Sequence, residues 1–293
     1  MILRSLTGLA AIGTGVAAWS LYEARAYQRS FHHLSILPDG YSPLRILNIS
    51  DLHLLPGDGK KVEFIRDLVE LKPDAVFLTG DQLASTTSLP SLLRALDPLA
   101  GIPGAFVYGS HDYFAPVWKN PLGYVIPALA GEDGDHVDLP HEEMAEALTE
   151  YGWTDLRNTR TSLTAGGQRI DLVGVDDPHI SRDDYPPSTG DSRAFTIGLT
   201  HAPYTRVLNA MEHDGVGLAL AGHTHGGQVC VPGYGALITN CDLDTEHVSG
   251  VFPWPAIGDR QTMHVAISRG MGTSPYAPFR LACRPEVQII DLA

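Results

Sequence analysis

Polar side chains, mostly carboxylates and imidazoles, recur in short motifs along the chain, and each motif directly follows an apolar run. The residues are Asp51, His53, Asp81, Ser110, His111, Asp112, His201, His223 and His225. Oxygen and nitrogen ligands without a thiolate suit manganese, iron or zinc better than calcium. Because side chains two residues apart at an extended strand end lie on the same side, Asp51 and His53 can reach one ion. The same spacing separates His223 from His225, and together the motifs predict a metal centre.

The motifs differ in how much each indicates alone. An isolated Asp-x-His or Gly-Asp is far more often a turn than a ligand pair. The segment GHTHGG (222–227) is stronger evidence, because two alternate histidines flanked by glycines have little packing rationale. Gly80 and Gly222, which precede ligand candidates, are expected to let the backbone turn sharply beneath the ions.

The apolar runs before the motifs have the composition of β-strands, and in the first half they alternate with helical patterns. Such alternation predicts an α/β fold with a partly parallel sheet, whose ligand site lies beyond the carboxyl ends of the strands. The predicted strands are 44–50, 74–80, 104–110, 194–200, 217–222, 263–268 and 286–292, and the predicted helices are 60–72 and 89–101.

The composition limits the partners of the protein. The chain has 293 residues, 44% hydrophobic residues and a formal net charge of −14, so its surface repels nucleic acid. An acidic protein that acts on phosphates needs a local source of positive charge, which a metal centre supplies. The three cysteines do not form a disulfide framework. Either Cys230 and Cys241 form a bridge, or the thiols are buried and inert, and the second reading is favoured.

The amino terminus differs from the rest of the chain. Residues 5–22 carry no charged side chain, a length near the lower limit for a membrane-spanning helix. Trp19 and Tyr22 stand at its far end, as in an interfacial aromatic belt. Residues 1–25 are therefore expected to be a transmembrane anchor, with a cleaved signal segment or a buried helix as alternatives. This predicts a membrane-associated protein, on an undetermined side of the membrane. Residues 26–43 are expected to be a linker, and residues 44–293 the catalytic domain.

The segments ISDLHL, TGD, YGSHDY, THAP and LAGHTHGGQV together resemble the calcineurin-like metallophosphoesterases. The tail ISRGMGTSPYAPFRLACRPEVQIIDL (267–292) resembles the ending of a bacterial branch of that family with one membrane anchor. The resemblance implies a four-layer α/β/β/α sandwich that holds two divalent metal ions (manganese, iron or zinc). It implies that Asp51, His53 and His225 bind the first ion, that Asp81 bridges both, and that His201 and His223 bind the second. It also implies that His111 acts on the leaving oxygen and that Asp112 orients His111.

Ser110 departs from the pattern of that family, which has asparagine at this position as a ligand of the second ion. A serine hydroxyl is shorter and a poorer donor than an amide oxygen. Either a water fills the gap, or Asp81, His201 and His223 hold the second ion with weak help from Ser110.

The resemblance implies hydrolysis of a phosphodiester or pyrophosphate by a hydroxide that bridges the two ions. A lipid or nucleotide-lipid substrate would explain an anchor. The alternative is a catalytically weakened module with one structural ion. A serine hydrolase and a zinc peptidase are disfavoured because neither G-x-S-x-G nor H-E-x-x-H is present. The long segments 115–140 and 176–193 are expected to be loops, the first being either a substrate-covering lid or a solvated insertion. The oligomeric state is not predicted.

Overall fold

A computed structural model describes residues 2–118, 137–188, 194–255 and 262–293, with side chains from residue 13 onward. Its described strands form two six-stranded sheets and one short two-stranded ribbon. The helices are α1 (Ile2–Glu23), α2 (Gly59–Arg66), α3 (Leu89–Leu96), α4 (Ser110–Tyr113), α5 (His141–Glu150) and α6 (Thr205–His213). The strands are β1 (Gln28–Leu34), β2 (Leu44–Ile49), β3 (Ala75–Thr79), β4 (Gly104–Val107), β5 (Trp153–Asp155), β6 (Thr159–Ala165), β7 (Gln168–Gly174), β8 (Thr196–Leu199), β9 (Leu218–Ala221), β10 (Cys230–Val231), β11 (Gly235–Ala236), β12 (Gly250–Pro253), β13 (His264–Ile267) and β14 (Glu286–Leu292).

The first sheet has the order β1-β14-β2-β3-β4-β5, and the second has the order β12-β13-β9-β8-β7-β6. Strands β2, β3, β4 and β5 run parallel, as do β7, β8, β9 and β13. Parallel strands place all their carboxyl ends at one edge of a sheet. The mixed α/β character predicted from the sequence is therefore confirmed.

Alternating side chains of the strands separate three apolar cores, which define the layers of the molecule. Between the two sheets, Ile46 and Phe77 of the first sheet belong to the same buried cluster as Leu220 of the second. On the outer face of the first sheet, side chains such as Leu47 pack with α2, α3 and α5. On the outer face of the second sheet, side chains such as Val265 pack with α6. Helices thus cover both sheets, and the sheets face each other.

A buried polar network lies between the sheets, close to the edge where the parallel strands end. Asn48 donates to Gln288 at 2.9 Å and accepts from the hydroxyl of Thr79 at 3.0 Å. All three side chains are fully buried. Because a buried polar group is costly unless it is hydrogen-bonded, this network fixes the ends of β2, β3 and β14 relative to one another.

Several predicted boundaries were wrong. The predicted linker 26–43 contains β1, which pairs in parallel with β14 along its whole length and forms one edge of the first sheet. The predicted strand 104–110 ends at Val107, and Ser110 begins a helix. The sequence did not predict β1 because this half-exposed edge strand, QRSFHHL, is mostly polar and lacks an apolar run. The predicted lid or insertion 115–140 lies largely outside the described residues, as does the end of the segment 176–193.

None of the helices in the described part of the chain is long and apolar enough to cross a membrane.

The carboxyl end of α1 is attached to the domain. The carboxylate of Glu23, which is buried, accepts the backbone N–H of Cys283 at 2.8 Å and that of Ala282 at 3.2 Å. The backbone N–H of Arg280 donates to the carbonyl of Ser20 at 3.0 Å. These bonds fix the end of the helix against the segment that precedes β14.

The three cysteines are free thiols. Cys230 and Cys283 are buried in one small cluster, and Cys241 is partly buried elsewhere. The conceivable bridge between Cys230 and Cys241 is therefore not formed, and the prediction of free thiols is confirmed.

We expect Glu23→Ala to lower the free energy of unfolding by about 1–3 kcal/mol, because the buried N–H of Cys283 and the part-buried N–H of Ala282 lose their acceptor. Glu23→Gln should cost less, since its amide oxygen still accepts one of these bonds. Glu63→Ala, at an exposed position of α2, is the matched control and should change stability little. Urea denaturation of the three variants measures the effect. Equal stability of Glu23→Ala and Glu63→Ala would show that the end of α1 is not held as described.

Candidate metal centre

The predicted ligands lie at the edge where the parallel strands of both sheets end. In the first sheet, β2 leads to Asp51, β3 to Asp81 and β4 to the turn that begins at Ser110. In the second sheet, β8 leads to His201 and β9 to His223. Because the two sheets face each other, ligands from distant parts of the chain meet in one place. The structure therefore brings the predicted motifs together.

The first group consists of Asp51, His53 and His225. One ligand atom from each lies within 4.8 Å of the others. The Nε2 atoms of His53 and His225 are 3.3 Å apart, and Asp51 Oδ1 lies 3.7 Å from Nε2 of His225. Three donor atoms that converge at such distances are suited to one small cation.

Asp81 lies between the first group and the second. Its Oδ2 atom is 3.5 Å from Nε2 of His53 and also 3.5 Å from Nε2 of His201. His201 Nε2 in turn lies 3.3 Å from Nδ1 of His223. One carboxylate oxygen is thus positioned between imidazoles of both groups, as a bridging ligand would be.

Hydrogen bonds to the second nitrogen of each ring orient the imidazoles of the second group. His201 Nδ1 lies 2.7 Å from the carbonyl of Thr79, and His223 Nε2 lies 3.0 Å from the carbonyl of Asn240. A ring N–H that donates to a carbonyl leaves the other nitrogen free of a proton and directed at the site. His201 therefore presents Nε2 to the centre, and His223 presents Nδ1.

Burial determines the charge state of most of these ligands. Burial lowers the pKa of His53 and His223 well below the usual value and that of His225 to about 4, so these imidazoles are neutral. Burial alone would raise the pKa of Asp81, but His201 and His111 outweigh it and hold that pKa well below its usual range. Neutral imidazoles and an ionised carboxylate are the forms that bind metal ions.

The backbone of the ligands adopts a conformation that is uncommon outside glycine. A positive φ at a residue other than glycine costs about 1–3 kcal/mol and persists only where the surroundings enforce it. The ligand candidates with a left-handed φ of 40–69° are Asp51, His53, Asp81, His223 and His225. This concentration of strain is typical of a functional site.

The two glycines predicted to turn the backbone act in different ways. Gly80 has a φ of +89° and confirms the prediction. Gly222 does not have a positive φ, and its role is close approach, because a Cβ there would overlap the hydroxyl of Ser50 and the carboxylate of Asp51. The two sheets meet at this point.

The residues of the centre fit a divalent cation. Asp51, Asp81 and His201 form a second set whose donor atoms lie within 4.8 Å of one another, and all three are buried. Two buried carboxylates and several neutral imidazoles, without a thiolate, are the donor set of manganese, iron or zinc. In addition, Nδ1 of His53 is buried and finds no hydrogen-bond partner among the described residues.

The turn at 110–112 is placed beside the second group, but its contacts differ from those predicted. Ser110 is half-buried and begins α4, directly after a glycine that packs against Asp81 and His201. The backbone N–H of His111 donates to Asp81 Oδ1 at 2.8 Å, and its ring Nδ1 lies 3.1 Å from the carbonyl of Phe114. The ring partner of His111 is therefore that carbonyl.

Asp112 fixes the backbone of two loops, and the predicted contact with the ring of His111 is not formed. Its carboxylate accepts backbone N–H groups from Asp81 at 2.8 Å, Gln82 at 2.7 Å and Gly109 at 2.9 Å. Burial, followed by repulsion from Asp81, raises the pKa of Asp112 to about 7. The side chain acts as an anchor for the loops after β3 and β4.

Residues that the sequence did not single out also surround the centre. Asp177 is buried after β7, and the ring of His179 lies 4.5 Å from that of His223, centroid to centroid. The fully buried Arg280 has Nη2 3.3 Å from Nδ1 of His225 and donates to the carbonyl of Gly272 at 2.7 Å. A signal for Asp177 was present, since VDDPH follows an apolar run as the other motifs do, but that run had not been predicted as a strand.

The model of the calcineurin-like phosphoesterase family matches residues 44–227, more than half of the chain. The chain therefore belongs to the calcineurin-like phosphoesterases, as its motifs predicted.

Two relatives have names that agree with this family, and one solved structure is similar to the chain. The chain is 29% identical to phosphodiesterase YaeI of Escherichia coli K12 over 300 residues, which cover 99% of this chain and 97% of the relative. It is 26% identical to the uncharacterized metallophosphoesterase YkuE of Bacillus subtilis 168, in an alignment that covers 88% of this chain and 82% of the relative. The crystal structure of TT1561 of Thermus thermophilus is 14% identical, has a TM-score of 0.44 and covers 78% of this chain and 91% of that one.

We expect Gly222→Ala to reduce stability by about 1–3 kcal/mol, the usual range for overpacking a close contact, and to weaken metal binding by displacing Asp51. Gly59→Ala on α2, where an added Cβ meets open space, is the matched control. Thermal denaturation and manganese titration of both variants measure the two effects. A Gly222→Ala protein with normal stability and normal metal affinity would contradict the close approach of the sheets.

Proposed function

We propose that the protein is a dinuclear, metal-dependent hydrolase of phosphodiester or pyrophosphate bonds. The observation that carries the proposal is the position of Asp81, whose Oδ2 atom lies 3.5 Å from an imidazole nitrogen of each group. A carboxylate between two sets of donors is the arrangement that holds two cations a few ångströms apart. The family supports hydrolysis of a phosphoester, and the number of ions is part of the proposal.

Each side chain has a role that follows from its place. Asp51, His53 and His225 would hold one ion, His201 and His223 the other, and Asp81 both. When bound, divalent ions activate water for attack on phosphorus and neutralise the charge that develops on the phosphoryl oxygens. The buried ligands keep bulk water from the centre, which strengthens these electrostatic interactions.

His111 is the proposed proton donor or hydrogen-bond donor to the leaving oxygen. Its ring lies at the open side of the centre, 5.3 Å from that of His53 between centroids. With Nδ1 donating to the carbonyl of Phe114, Nε2 is the nitrogen that faces a substrate. Asp112 supports this geometry because its carboxylate fixes the loops that bear His111 and Asp81.

Two observations bear on the substrate. The relative from Escherichia coli is named a phosphodiesterase, which favours a diester over a monoester. Trp19 and Tyr22, near the end of α1, are 56% and 62% exposed, which suits contact with a lipid interface. A lipid-linked phosphodiester or pyrophosphate is therefore the substrate class that we propose to screen first, with manganese as the added metal.

The alternative is a weakened module that keeps a single ion in the first group. Ser110 is the observation that favours it, since a serine hydroxyl contributes little to a second site. Metal content separates the two proposals: a dinuclear enzyme binds two manganese ions per chain, and the alternative binds one and does not turn over a diester such as bis(p-nitrophenyl) phosphate.

We expect metal-stripped protein to be inactive toward this diester and to regain activity with manganese. Asp81→Asn and His223→Ala should each lower kcat at least about 100-fold with the fold retained, because each removes a proposed ligand. Asp39→Asn and His33→Ala, both exposed, are the matched controls and should retain activity. An active Asp81→Asn variant with normal metal content would refute the assignment of Asp81.

Membrane association through residues 1–25 stays a prediction. We expect the full chain to float with phosphatidylcholine vesicles, and a chain shortened to begin at Trp19 to lose most of this binding while keeping kcat/KM. This start retains the contacts of Ser20 and Glu23 with the domain. Vesicle flotation that does not differ between the two chains would contradict the prediction.

A further inference from the structure

Asp177 carries a buried carboxylate oxygen for which the described residues offer no hydrogen-bond partner. The side chain is fully buried at the end of β7. Its Oδ1 atom accepts the backbone N–H of His179 at 2.9 Å, whereas Oδ2 has no hydrogen-bond partner within the described ranges. A buried, unpaired carboxylate oxygen is costly unless a donor or a cation meets it.

The neighbours of Asp177 place it over the second group of ligands. On one side, Asp176 Oδ2 accepts a hydrogen bond of 2.7 Å from the hydroxyl of Tyr113, in the short helix that Ser110 begins. On the other side, the ring of His179 packs 4.5 Å from that of His223. Asp177 therefore lies in the short segment between the Ser110 helix and His223.

The register of the second sheet agrees with this position. Strands β7 and β8 are parallel neighbours, with Gly174 opposite Leu199. The N–H of Val175 donates to the carbonyl of Leu199 at 3.1 Å, which is the ladder hydrogen bond of this last pair. Two residues beyond this pair lie Asp176 and His201, and Asp177 follows directly after Asp176, so the register places its segment beside His201.

We propose that Asp177 is a ligand of the metal ion held by Asp81, His201 and His223, and that its carboxylate supplies the donor that the short hydroxyl of Ser110 does not. The proposal rests on the dinuclear site proposed above. A carboxylate oxygen suits the same borderline and hard cations as the rest of the donor set. It also brings a negative charge to a group that otherwise has a single carboxylate.

The test uses Asp177→Ser in the full-length chain, because serine can still accept the N–H of His179 and so keep the turn. Titration of metal-stripped protein with manganese chloride by calorimetry, with metal content measured after dialysis, gives two affinities. We expect the second affinity to fall about 10- to 100-fold and the first to stay unchanged. Asp244→Ser is the matched control. Asp177 caps the short helical turn 178–180, and Asp244 caps a similar turn, 245–247, on the exposed surface by accepting the N–H groups of Glu246 and His247.

A second substitution separates a lost ligand from a disturbed loop. Ser110→Asn adds an amide oxygen that can take the coordination position lost with Asp177, so Ser110→Asn/Asp177→Ser should recover most of the second affinity. Ser110→Asn alone should change it little, because Asp177 already occupies that coordination position. This non-additivity is the signature of two residues that serve one site.

The outcomes distinguish the two proposals. If wild type binds two manganese ions and Asp177→Ser binds both with unchanged affinity, Asp177 is not a ligand and the dinuclear site stands. If wild type binds one ion or none, the dinuclear site and the role of Asp177 both fail. If Asp177→Ser is unfolded by circular dichroism, Asp177→Asn takes its place. With its amide oxygen accepting the N–H of His179, this variant keeps the shape and the cap but puts an NH2 group, which cannot bind a cation, in place of the free carboxylate oxygen. An unchanged second affinity in it would overturn the proposal.

Discussion

The contact between the end of β2 in the first sheet and the end of β9 in the second is the constraint on which the site depends. The backbone N–H of His223 lies 3.2 and 3.1 Å from the two oxygens of Asp51, so a strand of one sheet donates to a carboxylate of the other. The absence of a side chain at Gly222 allows this approach. Without it, the ligands after β2 and β3 could not reach those after β8 and β9, and two half-sites would remain apart.

The metal centre costs folding free energy by itself, and the rest of the domain must offset that cost. Carboxylates and imidazoles are buried together, and five ligand candidates have a left-handed backbone, at about 1–3 kcal/mol each. The three backbone N–H groups accepted by Asp112 and the network around Asn48 offset part of this cost. Because rigid surroundings hold the strained ligands in position, the ligands are in place before a cation binds. Little reorganisation is then needed for binding.

The misassigned role of Asp112 shows how a motif can identify a residue without identifying its contacts. The neighbouring histidine and aspartate in the GSHD turn suggested that one side chain orients the other. In the folded chain, the short helix α4 directs the Asp112 side chain beneath the turn, where unpaired backbone donors of two loops converge. Adjacent residues in a helix point in different directions, so sequence proximity did not predict this contact.

The sequence by itself determined the class of fold, the positions of most central strands along the chain and the ligand candidates, because buried parallel strands and the polar residues at their ends have a strong local signature. The family resemblance already implied which ligands share a group, whereas the contacts that join them, such as His53 with His225, link distant segments and came only from the tertiary structure. It also revealed β1, whose half-exposed edge position leaves little apolar pattern. Asp177 follows an apolar run as the other motifs do, but it became informative only through burial, because its enclosed oxygen has no partner among the described residues.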